Sequence, residues 1–336
     1  MDKQWKGENI VNNKILSYLP DEVKVIIQKG FKYINEDIIE IRLRVNQPPE
    51  IITCKDKYFL NKEGKLHRFI DYKNHKKIFK LDKNILKKAI LILSDHSLYA
   101  LERQLREGFI TIEGGHRVGF TGEVVTEDGL IKRIRNINSV NYRITREFPG
   151  VADKILDKIY NFKNDHIYNT LIISPPLCGK TTLLRDLVRL LSEGVRTLGI
   201  LGKKVGVVDE RSEIGGSYNG IPQNRIGYRT DILDNCPKSE GMMILIRSMS
   251  PEVIAVDEIG DKKDIKAIQN TLTAGVSLIT TIHGESIESI KQRPGLEKIF
   301  KNKYFERYIL LSRRKGIGTI EGIFDRRGGV VSGEYC

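Results

Sequence analysis

One stretch restricts this chain more than any other: LIISPPLCGKTTLLRDLVRLL, residues 171–191. It reads as a short apolar strand, a tight loop and a helix with leucines at three- and four-residue steps. Ser174 to Thr181 spell SPPLCGKT, one residue away from the phosphate-binding pattern G-x-x-x-x-G-K-[ST]. Gly179 lets the backbone turn closely around a phosphate, and the N–H groups that open the following helix point at that anion. Lys180 is expected to reach the β- and γ-phosphates, and Thr181 to offer its hydroxyl to Mg2+. The nucleotide-binding residues expected from this segment are Ser174, Pro175, Pro176, Leu177, Cys178, Gly179, Lys180, Thr181 and Thr182.

The loop departs from the pattern at its first positions. Ser174 stands where the first Gly belongs, two prolines follow, and Leu177 fills a place where glycine is common. Proline stiffens a loop and needs no N–H partner, whereas Ser or Leu adopts positive φ less freely than Gly. Binding survives such changes more readily than fast turnover, so a slow ATPase is expected.

Around this segment, apolar strands and amphipathic helices alternate. Strands are expected at 169–174, 204–210, 252–259 and 276–283, with helices near 239–249, 262–274 and 285–292 and a polar loop across 211–238. A hairpin is expected to close the chain after residue 307. Near-continuous Val, Ile and Leu in the strands argue for a parallel sheet buried on both faces. The first half reads differently. It begins with a short helix over 15–30 and a half-buried strand at 38–45, with Glu40, Arg42 and Arg44 on one face. Two strands about Gly114-Gly115 and a strand pair, or a strand and turn, over 131–144 follow. An amphipathic helical segment is expected over 82–107 and a linking helix over 151–163. Pro149-Gly150 marks the break, giving a smaller α/β domain over 1–148 and a P-loop domain over 149–336.

Composition excludes some classes. No apolar run reaches the roughly 18 residues of a membrane span, and the first residues lack the apolar core of a secretory signal. The four cysteines, Cys54, Cys178, Cys236 and Cys336, lie far apart, which argues for a reducing compartment and against a structural metal site. A cytoplasmic location follows as an expectation. The formal net charge of +13 suggests an anionic partner, but the surplus is spread over both halves. Its one dense run, residues 73–88, reads first as a solvated helix face and second as a membrane-surface or partner contact.

Three strand ends carry polar groups, and ligands of open α/β sheets sit at the carboxyl ends of strands. Asp257-Glu258 follow VIAV, and carboxylates there are expected to serve the Mg2+ shell with Thr181. Asp209-Glu210 follow VGVV, where a second carboxylate is expected to position the attacking water. His283 closes LITTIH and is expected to sense the γ-phosphate.

This order of motifs, together with EIRLRV, GGHRVGFTGEVV, QNRIGYRTDILDNCPK and RSMSPEVIAVDEIG, resembles the type II/IV secretion ATPases. Within them it resembles the stage III AA family of sporulation proteins in endospore-forming bacteria. The resemblance implies a RecA-like ATPase domain behind a smaller N-terminal domain, hexamers with nucleotide between subunits, and ATP with Mg2+. It also implies a mother-cell role energising the channel complex that joins mother cell and forespore, reached through a membrane-protein partner. Such ATPases bring arginines from neighbouring domains or subunits to the phosphates, and Arg117, Arg143, Arg229 and Arg247 are the candidates here. Two alternatives stay open: a nucleic-acid-stimulated ATPase and a nucleotide-bound structural subunit. The first would want interleaved aromatics in its basic surface, and the basic run holds only Phe79.

Overall fold

The computed structural model describes residues 14–70, 79–94 and 108–335. They fall into two compact units, Met1–Arg146 and Glu147–Cys336.

The first unit is a seven-stranded sheet in the order β4-β3-β2-β1-β7-β6-β5, with every pairing antiparallel. Its strands are β1 Ile38–Arg44, β2 Glu50–Thr53, β3 Lys57–Leu60, β4 Leu66–His67, β5 Phe109–Ile112, β6 His116–Glu127 and β7 Leu130–Arg143. Helix α1, Asp21–Phe31, carries two acids in its first turn and buries Val23, Ile26 and Ile27, one stripe at helical spacing. Helix α2, Lys83–Leu93, starts where the Asp82 side chain accepts from Ile85 N–H and buries Ile85, Leu86, Ala89 and Leu93. Both helices share one core with Ile41, Leu43, Val118, Val140 and the buried Tyr142. The Tyr142 hydroxyl donates to the Tyr18 carbonyl at 3.0 Å, so this buried phenol is satisfied. The rest of the helical segment expected over 95–107, and residues 73–78 of the basic run, lie outside the described residues. Residues 131–144 do not form a strand pair; they form the one long strand β7, because β6 pairs with it from Arg117–Arg143 out to Glu127–Leu130.

The second unit holds an eight-stranded sheet in the order β12-β11-β13-β14-β10-β15-β16-β17. These are β10 Thr170–Ser174, β11 Val205–Asp209, β12 Thr230–Asp234, β13 Val253–Val256, β14 Ser277–His283, β15 Arg307–Ser312, β16 Thr319–Asp325 and β17 Val330–Tyr335. Strands β10 to β15 run parallel, while β16 and β17 are antiparallel, so the sheet is mixed. Its central strands are buried throughout, and alternate residues feed two cores. Ile172, Val207, Ala255 and Ile279 meet helix α4, Lys180–Glu193, through Leu184, Leu187, Val188 and Leu191. Leu171, Ile173, Val208, Ile254 and Leu278 face the other way. There they meet α5, Lys238–Ser248, and α6, Lys262–Thr273, with the short helices α7, Ile287–Lys291, and α8, Glu297–Lys301.

Several expectations need correction. The polar loop 211–238 contains β12, whose RTDILD sequence hides a strand because it pairs on one side only, at the sheet edge beyond β11. Residues 151–163 are not a helix. They form turns, a single helical turn α3, Leu156–Ile159, and the first strand of a small hairpin, β8 Tyr160–Asn161 with β9 His166–Ile167. The buried Asp186 carboxylate accepts from Gly150 and Ala152 N–H, both at 2.9 Å, and that holds this segment in turns. Helix 285–292 is shorter than expected, and α8 follows it.

Candidate functional site

The phosphate loop leaves β10 at Ser174 and enters α4 at Lys180. Gly179 adopts φ 89° and no side chain caps the helix, so the first N–H groups of α4 stay available to an anion. By contrast, α6 opens on a reciprocal cap between Asp261 and Asp264. Leu177 does take positive φ, at 60°, and its side chain stays 78% exposed. A left-handed conformation costs a branched L-residue about 1–2 kcal/mol. Leu177→Gly is expected to raise stability by about 1 kcal/mol, since relief of that strain outweighs the added chain entropy. Urea unfolding checks this, and a loss of stability would show that the loop is not strained there.

Lys180, Glu258 and His283 meet at the carboxyl ends of the strands. The Lys180 ammonium lies 3.0 Å from Glu258 Oε2 and 2.6 Å from His283 Nε2, and His283 Nε2 lies 3.0 Å from the same carboxylate oxygen. An ammonium can only donate, so the imidazole nitrogen facing it accepts. Sheet order explains the meeting. Strand β14 lies between β10 and β13, with His283 paired to Ser174 on one side and Thr280 to Val256 on the other. Asp257 sits deeper. Its Oδ1 accepts from the Thr281 hydroxyl at 3.1 Å. Burial pushes the Asp257 carboxyl up, and the Glu213 charge adds to this against the opposing Lys180 ammonium.

The acidic segment after β11 is arranged differently from expectation. Asp209 is fully buried. Its carboxylate accepts from the backbone N–H groups of Glu213, Ile214 and Gly215 at 2.7, 2.9 and 2.8 Å. Glu210 is paired with Lys238 at 2.8 Å. Arg185, on α4, fixes the same loop by donating to the carbonyl of Ile214 at 2.7 Å and to that of Glu213. Asp209 is thus the organiser of this loop, and Glu258 stands beside the lysine. Beyond them, a cleft of about 180 Å³ is lined by Glu210, Arg211, Glu213, Lys238, Asp257 and Glu258 among others. Arg185 and Lys238 lay outside the expected set, and the short GKTTLLRD spacing was the only signal for Arg185.

Burial pushes the Asp209 carboxyl up to about 6, helped by Asp234 and Asp257, over the lowering effect of its N–H donors. The folded protein therefore holds this proton while the unfolded chain has released it, so stability is lost as pH rises from about 4 to about 6. Through this one group the loss amounts to at most about 3 kcal/mol. Asp209→Asn is expected to flatten that part of the profile, measured by urea unfolding between pH 4 and pH 7. An unchanged slope would place the titration elsewhere.

The arginines divide. In the first unit, Arg117 and Arg143 are direct partners across β6 and β7; Arg117 lies over the Phe109 ring and Arg143 lies 4.0 Å from Glu40. In the second unit, Arg229 donates to the Ser192 carbonyl at 3.0 Å, near the far end of α4. That is about 20 Å along the helix from Lys180. Arg247 is exposed in the last turn of α5. The structure brings neither Arg229 nor Arg247 to the phosphate loop of its own chain.

Among the described residues no three His, Cys, Asp or Glu side chains are grouped to hold a metal ion. Among the described residues no helix is long and apolar enough to cross a membrane.

Comparisons with known proteins bear on the fold and the family. In fold, the chain is similar to the ATPase DotB of Legionella pneumophila, with TM-score 0.52 and 18% identity over 87% of this chain and 76% of that one. It is also similar to the pilus retraction motor PilT with bound ADP, with TM-score 0.51 and 13% identity over 88% and 77%. The fold is thus that of the secretion ATPases, a RecA-like domain with an N-terminal domain. The chain is 43% identical over 320 residues to the stage III sporulation protein AA of Bacillus subtilis (strain 168), covering 95% of this chain and 97% of that one. The family profile described as "Sporulation stage III, protein AA" matches residues 9–331, and the chain belongs to that family.

Proposed function

We propose that this protein is an ATP-binding and ATP-hydrolysing motor subunit. The observation that carries the reading is the meeting of Lys180, Glu258 and His283 beside the uncapped start of α4. Lys180 holds the terminal phosphates, and the loop from Ser174 to Thr182 wraps them with backbone N–H groups. Glu258, beside Lys180, orients and deprotonates the attacking water, and His283 reads the occupancy of the same corner. Thr181 and Asp257 are the side chains that would serve Mg2+, with phosphate oxygens completing its shell. When bound, the ion neutralises charge on the phosphates.

Family membership and fold support a role in the mother cell during endospore formation, energising the channel complex toward the forespore. The subunits form a ring, taken as a hexamer, held at the membrane by a protein partner. Arg143 and its strand neighbour Arg117 are the arginines proposed to reach a neighbouring subunit's nucleotide. Nucleic acid is not the partner in this reading. Mg2+-dependent phosphate release by the purified chain tests it, across a dilution series followed by light scattering. Activity should rise faster than protein concentration and stay unchanged by single-stranded DNA. Turnover absent at every concentration, with ATP still bound, would leave the second reading, a nucleotide-bound structural subunit, which the Ser-Pro-Pro-Leu loop with its strained Leu177 favours.

A further inference from the structure

The phosphate loop has two sides. Lys180, Glu258 and His283 stand toward β14. On the other side β15 is the neighbour of β10, and the turn from β15 to β16 rests on the loop. Gly318 N–H donates to the Cys178 carbonyl at 3.0 Å. A Cβ on Gly179 would lie 3.3 Å from Ile317 Cγ2 and 3.4 Å from Gly318 Cα, so Ile317 lies directly against the loop. Yet its side chain is 68% exposed, as Leu177 is at 78%. Two large apolar side chains therefore flank one phosphate loop, and the rest of the unit covers neither. The turn itself is held. The Thr319 hydroxyl donates to the Gly316 carbonyl at 2.8 Å and accepts from Lys315 N–H at 3.3 Å. Arg314 is tied to Glu321 at 3.2 Å.

A polyphosphate on this loop has a fixed direction. Its terminal phosphate belongs with the ammonium and the carboxylate on the β14 side, so its other end leaves toward β15. In a nucleoside triphosphate that end carries a ribose and a flat base with apolar faces. We infer that Ile317, together with Leu177, forms the seat of the purine base, and that the Gly318–Cys178 hydrogen bond holds this seat against the loop. The inference rests on the nucleotide reading given above and adds to it the residues that separate a nucleotide from bare polyphosphate.

The test compares ATP with inorganic tripolyphosphate, both with Mg2+, in equilibrium binding to the full chain. The wild type is expected to bind ATP more tightly than tripolyphosphate. Ile317→Ser is expected to weaken ATP binding by about tenfold, through lost apolar contact, and to leave tripolyphosphate binding unchanged. Ile317→Val is expected to keep most of the ATP affinity. Ile317→Trp adds an indole to a chain whose own single tryptophan is Trp5, and its fluorescence should respond to ATP but not to tripolyphosphate. Unchanged ATP affinity in Ile317→Ser overturns the seat, as does a parallel loss of both ligands, which would make the turn only a prop for the loop. A wild type that binds both ligands equally overturns the seat and leaves the phosphate site standing. A wild type that binds neither overturns both.

Discussion

Lys180→Ala is expected to lower ATP affinity by about 100-fold and to bring turnover to background. The ammonium, at the start of α4, meets Glu258 and His283 at 3.0 and 2.6 Å. Charge-assisted hydrogen bonds of this kind are worth about 2–3 kcal/mol each where water is partly excluded. Lys180 is already held in position, with a side chain only 12% exposed, so a phosphate takes up an ordered cation and loses little entropy in doing so. Stability should change little, by less than about 1 kcal/mol, because the pair is partly solvated on the Glu258 side. Titration calorimetry with ATP, alongside thermal unfolding, makes the measurement. Equal affinities in wild type and variant would remove the phosphate site from this loop.

The second large effect separates the carboxylates. Glu258→Gln is expected to cut the single-turnover rate by about 10²–10³-fold with ATP binding retained, the loss typical of a removed general base. Glu210→Gln should cost less than about tenfold, since that side chain is paired with Lys238 at 2.8 Å and touches the site only through the cleft wall. The residue order alone pointed the other way, to Asp209 or Glu210 for the water and Glu258 for the metal. Three backbone donors occupy the Asp209 carboxylate, whereas Glu258 reaches Lys180 directly. A normal rate in Glu258→Gln together with a trapped, slow Glu210→Gln would restore the original assignment.

Position separates the candidate arginines. Arg229 is spent on the Ser192 carbonyl, while Arg117 and Arg143 share a register on β6 and β7. If Arg143 completes a neighbour's site, mixing Lys180→Ala with Arg143→Ala subunits restores part of the turnover. A neighbour's arginine can be worth about 10³-fold or more in rate, so the recovery is readable above either variant alone.

What the sequence determined by itself was local and periodic. Fully apolar strands such as LIIS and VIAV can only be central, because both of their faces demand cover. The helix after GKTT shows its leucine stripe directly, and the phosphate loop is a contiguous stretch of chain. The elements it left hidden have partners far away along the chain. Strand β12 looks polar because an edge strand needs only one neighbour. Residues 151–163 look helical, yet Asp186, more than 30 residues on, binds the N–H groups of Gly150 and Ala152 where this segment begins, and the segment starts in turns. The different surroundings of the two carboxylate pairs were equally invisible. Asp209-Glu210 and Asp257-Glu258 are the same dipeptide after similar strands, and only the placement of β14 between β13 and β10 puts Glu258 against Lys180 and leaves Asp209 to bind its own loop.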